Sequence, residues 1–235
     1  MQASQRAAEN HGVVASSGAE GSDAAAAAGA SGVLEFLRIC GALKTTKRTG
    51  WVNSEVHLPE SISDHMYRMA VISFLFGNEK GASGLNKEKM IKMALVHDMA
   101  EAIVGDITPF DGISKEEKGR AEDEAMRAIC SKINGPVGEE MYSLFLEYEQ
   151  SSTPEAKVMH DIDKFEMYLQ AFEYERAQGK DLERFYDSTH RITDPTVKGW
   201  VAELTRLRSS EQSASLVAAS QSTLSRNNNN NDERH

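Results

Sequence analysis

Ala94 to Pro109 reads ALVHDMAEAIVGDITP, and the reading of this stretch decides both the fold and its chemistry. A histidine and an aspartate stand side by side, His97-Asp98, in an otherwise apolar run. Glu101 follows one helical turn on, then Gly105-Asp106 and Pro109. A glycine stop signal with a proline shortly beyond predicts a helix that begins near Asn86 and ends at Gly105. On such a helix His97 and Glu101 are i and i+4 and share a face, with Asp98 flanking them. Ala94, Met93 and Met90 continue the stripe backwards, as a core-facing side does. A carboxylate on a buried stripe carries a large desolvation cost unless it is paired or bound to a metal. Three ionisable groups on one inward face call for a partner, and a divalent cation is the simplest. Taken alone, the helix fits equally well a core histidine bonded to its neighbours, with Asp98 at the solvent edge.

Composition narrows the field. At 235 residues and 40% hydrophobic content, the chain holds one domain with extensions, or at most two small ones. A net charge of -10 and a pI near 5.2 point away from a nucleic-acid polymer or an anionic membrane as partner. Cys40 and Cys130 form no CxxC pair, which argues against thiolate zinc and a disulfide scaffold and for a reducing compartment. No apolar run approaches the length of a membrane span. The first residues lack the basic-then-apolar order of a secretory signal. Arg6 alone against Glu9, Glu20 and Asp23 is a poor transit peptide, so a cytoplasmic location is expected.

Residues 1–31, rich in Ala, Gly and Ser, are expected to be disordered, as is the asparagine-rich tail over 209–235. The folded domain is then 32–208. Val33 to Leu43 carries apolar residues at helical spacing, and a long polar connection with Arg48, Trp51 and His57 follows. Long connections of this kind are often functional. Ser61 or Ser63 caps a helix running to about Phe76, on which His65, Met69, Ile72 and Phe76 form one inward stripe. Ser114-x-x-Glu117 is a capping box for a helix to about Ile133, and Glu139 to Gln150 is amphipathic. Thr153-Pro154 opens a helix to about Gln178 containing HDIDKFEMY, where His160, Asp161 and Asp163 interrupt the apolar pattern. A last helix spans about Pro195 to Leu207, with His190 as a structural residue before it. No segment alternates as a strand does, so the domain is all-α.

Three helices thus each supply an inward histidine or acid: His65, then His97-Asp98, then Asp161 or Asp163. Metal sites in helical bundles are assembled this way, and two imidazoles with carboxylates suit Mn, Co, Fe, Zn or Mg rather than a soft ion. The ordered set H…HD…D, with ESISDHMYRMA, LVHDMAEAIVGDITP and HDIDKFEMYLQAFEYE around it and KRTGW upstream, resembles the HD-domain metal-dependent phosphohydrolases, specifically their 5′-deoxynucleotidase branch. The likeness covers roughly Val33 to Leu207. It implies a single helical bundle with one divalent ion in its core, held by His65, His97, Asp98 and Asp163, and so favours Asp163 over Asp161.

The resemblance also implies the reaction: hydrolysis of deoxyribonucleoside 5′-monophosphates to deoxynucleoside and phosphate. Glu101 would manage the proton of the departing oxygen or of water, and Asp106 would anchor the attacking water. Arg48 would clamp the phosphate and Trp51 would pack near the sugar. The bacterial enzymes place the tryptophan directly after the arginine, whereas here Thr49-Gly50 intervenes, so a surface charge and a core aromatic are the alternative for this pair. Related proteins are often dimers, and a homodimer is expected. The competing functions are another HD phosphohydrolase (a dNTP triphosphohydrolase, phosphodiesterase or alarmone hydrolase) or a catalytically silent nucleotide-binding module. The shortage of downstream histidines and of clustered Lys/Arg disfavours the first. The intact acids Glu101 and Asp106 disfavour the second.

Overall fold

The computed structural model describes residues 19–76, 84–133 and 135–232, with side chains over 29–76, 84–133 and 135–213. Its elements are helices: α1 (Ala19–Ala42), α2 (Thr49–Asn53), α3 (Ile62–Ser73), α4 (Lys87–Ala94), α5 (Glu101–Val104), α6 (Lys115–Cys130), α7 (Pro136–Glu149), α8 (Pro154–Gln178) and α9 (Pro195–Asp232). Two short 3₁₀ turns, Glu183–Tyr186 and Thr189–Arg191, join α8 to α9. No strand forms among the described residues. The nearest thing is an isolated bridge between Lys47 and Ser61. The expectation of an all-α domain is met.

Helix starts follow local chemistry. Ser61 accepts from the Asp64 N–H while the Asp64 carboxylate accepts from the Ser61 N–H, a reciprocal box that satisfies two otherwise unpaired donors. Ser114 and Glu117 do the same for α6. Thr153 caps α8, Pro154 sits at its first turn, and Gly179 ends it in the left-handed conformation (φ 63°). α7 starts at Pro136, earlier than the expected Glu139, because a proline suits a first helical turn.

α8 is the axis. It packs on α3, α4, α7 and α9, and its buried residues go round more than one side: Met159, Ile162, Tyr168 and Ala171 are fully enclosed. The main core also takes Met66, Met69, Met90, Met93 and Met126, unbranched side chains that fill irregular space between crossing helices. A smaller cluster of Trp51, Val56, Ala171, Tyr174 and Leu182 lies under α2. No helix among the described residues is long and apolar enough to cross a membrane.

Three expectations are modified. The helix read as continuous from Asn86 to Gly105 is α4, a tight turn over residues 95–100, and α5. The long polar connection before α3 folds back on itself, with Arg48 N–H donating to Glu60 O and Ile62 N–H to Thr46 O, and contains α2. Helical backbone also reaches into both stretches expected to lie outside the domain, from Ala19 and on to Asp232. The alanine-rich composition behind the first expectation is also that of the best helix former.

Because the Ser61–Asp64 box fixes the turn that carries His65, Ser61→Ala is expected to cost about 1 kcal/mol. In a chain of this size that lowers Tm by about 2–4 °C in a thermal melt. An unchanged Tm would show the box to be idle.

Candidate metal centre

His65 lies one turn into α3 and is fully enclosed. Its Nδ1 is 2.6 Å from Glu166 Oε2 on α8, so that nitrogen donates and Nε2 is left facing the interior. His97 follows α4 in the tight turn. Its ring Nδ1–H donates to the Ala94 carbonyl at 3.0 Å, which leaves its Nε2 free to bind a ligand. A continued α-helix would commit the Ala94 carbonyl to the Asp98 N–H. The i to i+3 bonding of the turn (Val96 to Met93, Met99 to Val96, Glu101 to Asp98) makes that carbonyl available to the ring instead.

The two free nitrogens meet carboxylates. His97 Nε2 is 3.3 Å from Asp98 Oδ2, and His65 Nε2 is 3.3 Å from Asp163 Oδ1 and 3.8 Å from Asp98 Oδ2. Ligand atoms of His65, His97 and Asp98 all lie within 4.8 Å of one another. His65 Nε2 and His97 Nε2 are nevertheless buried without a hydrogen-bond partner, as is Glu101 Oε2. Buried polar atoms are rarely left so, and two imidazole lone pairs aimed with two carboxylates at one volume match the donor set of a divalent ion. Asp161, the alternative acid, takes no part. It is buried and accepts from Thr193 N–H, Thr193 Oγ1 and Asp194 N–H, tying down the loop before α9. Tyr148 donates to Asp163 Oδ2 at 3.0 Å and its ring lies against His97, 4.8 Å between centroids.

The electrostatics describe a centre short of positive charge. Burial and the Arg48 guanidinium push the His65 imidazole down, but Glu166 and Asp163 outweigh them and raise it to about 9. Metal binding is therefore coupled to proton release from this group. Burial acts to raise Asp98, while His97, His65 and Arg48 bring it down to about 2; Asp163 is held well below the usual carboxylate range by His65 and Arg48 against the same burial. Glu101 goes the other way. Burial first, then Asp98 and Asp106, push it up to about 10, so it carries a proton at neutral pH.

Arg48 stands at the edge of the cluster, with Nη1 3.6 Å from Asp98 Oδ2. Asp106 is bonded to the arginine's loop: its Oδ2 accepts Thr49 N–H at 2.6 Å and its carbonyl accepts Thr49 Oγ1–H at 2.7 Å. Trp51 is placed away from the cluster. At 1% exposure it packs on Tyr174 and Phe185 and donates its indole N–H to Glu60 at 2.8 Å. This packing matches the core-aromatic alternative read for the pair. Sequence reasoning passed over Glu166, Arg68, Tyr148 and Thr49. Only Glu166 left a trace, through its position one turn beyond Asp163.

The chain matches the HD domain family over residues 40–204. It is 51% identical to the 5′-deoxynucleotidase HDDC2 of Dictyostelium discoideum, over 74% of this chain and 97% of that protein. It is 47% identical to the human 5′-deoxynucleotidase HDDC2, over 79% and 91%. Among solved structures, a conserved hypothetical protein from Pyrococcus furiosus is 31% identical, with a TM-score of 0.62 over 74% of this chain and 99% of that one. With a family match across most of its length and relatives about half identical to it, the chain belongs to the HD-domain family.

Proposed function

We propose that this protein is a metal-dependent 5′-deoxynucleotidase, a phosphoric monoester hydrolase acting on deoxyribonucleoside 5′-monophosphates. The observation that carries the reading is the pair of unpartnered, buried imidazole nitrogens beside Asp98 and Asp163, with Arg48 and the buried Glu101 carboxyl at the same place. Relatives 51% and 49% identical over about three quarters of the chain bear that activity in their names.

His65, His97, Asp98 and Asp163 would hold one divalent ion of the Mn, Co, Mg, Fe or Zn class. When bound, such an ion supplies Lewis-acid activation of water and of the phosphoryl group. The remaining work falls to the chain's own side chains. Arg48 presents a planar guanidinium to the phosphate oxygens. Its loop is held by the Thr49–Asp106 pair and, below, by the Trp51 N–H on the Arg48 carbonyl at 3.1 Å. Glu101, enclosed beside the cluster, would donate a proton to the departing 5′-oxygen. Asp106 orients the attacking water with the capacity Thr49 leaves it. The free thiols Cys40 and Cys130 fit the reducing cytoplasm as the place of action.

Metal-stripped protein resupplied with Mn, Co or Mg should release phosphate from dAMP and little from AMP. His97→Ala should abolish release, and Glu101→Ala should lower kcat by about 10²–10⁴-fold, as loss of a general acid does. Absence of release from both monophosphates by metal-loaded protein would refute the reading.

Arg48→Ala should act mainly on KM, raising it about 10–100-fold, the worth of a charged hydrogen bond. A pure kcat loss in steady-state kinetics would remove Arg48 from the phosphate.

The protonated Glu101 also makes a prediction for the metal-free protein. Its carboxyl sits at about 10 in the fold against an ordinary 4.5, so above pH 4.5 the native state keeps a proton the unfolded chain has released. Stability then falls as pH rises towards 10. Glu101→Gln lacks this penalty, so its Tm should exceed that of the parent by a margin that widens from pH 5 to pH 9. A margin constant with pH would show Glu101 to be ionised.

A further inference from the structure

Beyond the ligands themselves, one side chain is placed to govern how well they bind. Glu166 is fully buried, and both its oxygens are taken: Oε2 by His65 Nδ1 at 2.6 Å and Oε1 by Arg68 Nε at 2.7 Å. Arg68 is fixed in turn by Gln170 Oε1 on Nη2 (2.5 Å) and by Glu173 Oε2 on Nη1 (2.7 Å). The spacing is regular. Arg68 follows His65 by three residues on α3, and Glu166 follows Asp163 by three on α8, so each ligand-bearing turn has a supporting turn beside it. The guanidinium then runs along residues 166, 170 and 173, one rim of α8, and cannot swing without breaking three bonds.

Glu60, His65 and Glu166 also bring ligand-type atoms within 4.8 Å of one another, but this is no second ion site. The Nδ1–H and the guanidinium fill Glu166, and Glu60 Oε1 holds the Trp51 indole N–H. Arg68 stands where a cation would.

We propose that Glu166, held by Arg68, is a positioning residue that fixes His65 with its proton on Nδ1 and thereby sets the affinity of the centre for its divalent ion. A carboxylate on the far nitrogen fixes both ring orientation and tautomer and makes Nε2 a better donor, an effect typically worth 10–100-fold in metal affinity. Glu166→Gln retains size and one acceptor. Whichever way the amide turns, it sets an N–H against either the Nδ1–H or the guanidinium, and the negative charge is gone. Arg68→Lys keeps a positive charge but cannot span the three acceptors.

The inference rests on the metal-centre reading, so its test measures ion binding without substrate. Mn(II) would be titrated into metal-stripped full-length protein by calorimetry or chelator competition, for the parent, Glu166→Gln, Arg68→Lys and Glu173→Gln. The expected result is Kd weaker by about 10–100-fold for Glu166→Gln and by a smaller factor for Arg68→Lys, with little change for Glu173→Gln. Melting temperatures of the metal-free proteins should agree within a few degrees. Co(II) loaded at saturation should show a displaced d–d absorption band in Glu166→Gln, which loosened packing far from the ion would leave in place. Phosphate release by that variant should fall steeply at limiting Mn(II) and recover at saturating Mn(II). Equal Kd for parent and Glu166→Gln, or, if that variant does not fold, for parent and Arg68→Lys, overturns the inference and leaves the metal centre standing. Failure of the parent itself to bind Mn(II) overturns both.

Discussion

The centre depends on two buried imidazoles each being held by one nitrogen so that the other is free. His97 spends its Nδ1 proton on the Ala94 carbonyl and His65 spends its own on Glu166, so both Nε2 atoms turn to the volume that Asp98 and Asp163 share. An interior cannot solvate such a group of charges, and unpaired ones carry penalties of several kcal/mol each. The protein answers with cations at two edges: Arg48 against Asp98 on one side and Arg68 against Glu166 on another. What is left uncompensated lies between them, where the two Nε2 atoms and the two carboxylates meet.

The turn at 95–100 shows a helix giving up regularity for this purpose. Continuing α4 as one helix would keep every backbone bond of the i to i+4 ladder. Breaking it there forfeits part of that ladder but frees a carbonyl within reach of the His97 ring. The break also starts α5 at Glu101, which is enclosed there. Periodicity could not reveal this. The apolar spacing of Met90, Met93 and Ala94 is satisfied by α4 alone, and the residues beyond it are apolar under either winding.

What was legible in the sequence is what local chemistry determines. Ser61 with Asp64, Ser114 with Glu117 and Thr153 with Pro154 announce helix starts because cap and helix are neighbours in the chain. The inward stripe of His65, Met69 and Ile72 was readable for the same reason. Arg48 and Trp51 were harder, because their loop is shaped by partners far along the chain: Thr49 bonds Asp106, Glu60 N–H bonds Tyr174, and Trp51 packs on Phe185. The fates of Asp161 and Asp163 likewise depend on which distant groups arrive, Thr193 and Asp194 for one and His65 and Tyr148 for the other. Two acids two residues apart on one helix cannot be told apart without knowing what each face meets.

The Thr49–Asp106 pair joins two parts of the site that the sequence keeps apart. Gly105, at φ 76° and ψ 173°, ends α5 in a conformation that a side chain would strain, and the chain turns there so that Asp106 reaches back to the start of α2. Both the N–H and the hydroxyl of Thr49 are used, so the residue after Arg48 is fixed in position and direction. The Arg48 guanidinium and the Glu101 carboxyl are therefore carried by one connected unit rather than by separate loops. In the proposed reaction a phosphomonoester engaging the first would meet the second at a distance set by the backbone, and orientation of that kind is among the largest contributions a site can make to rate. The inserted Thr49-Gly50 is in this light a structural joint: the threonine supplies the bonds, and the glycine lets α2 pass Phe185, whose ring lies 3.2 Å from where a Cβ would be.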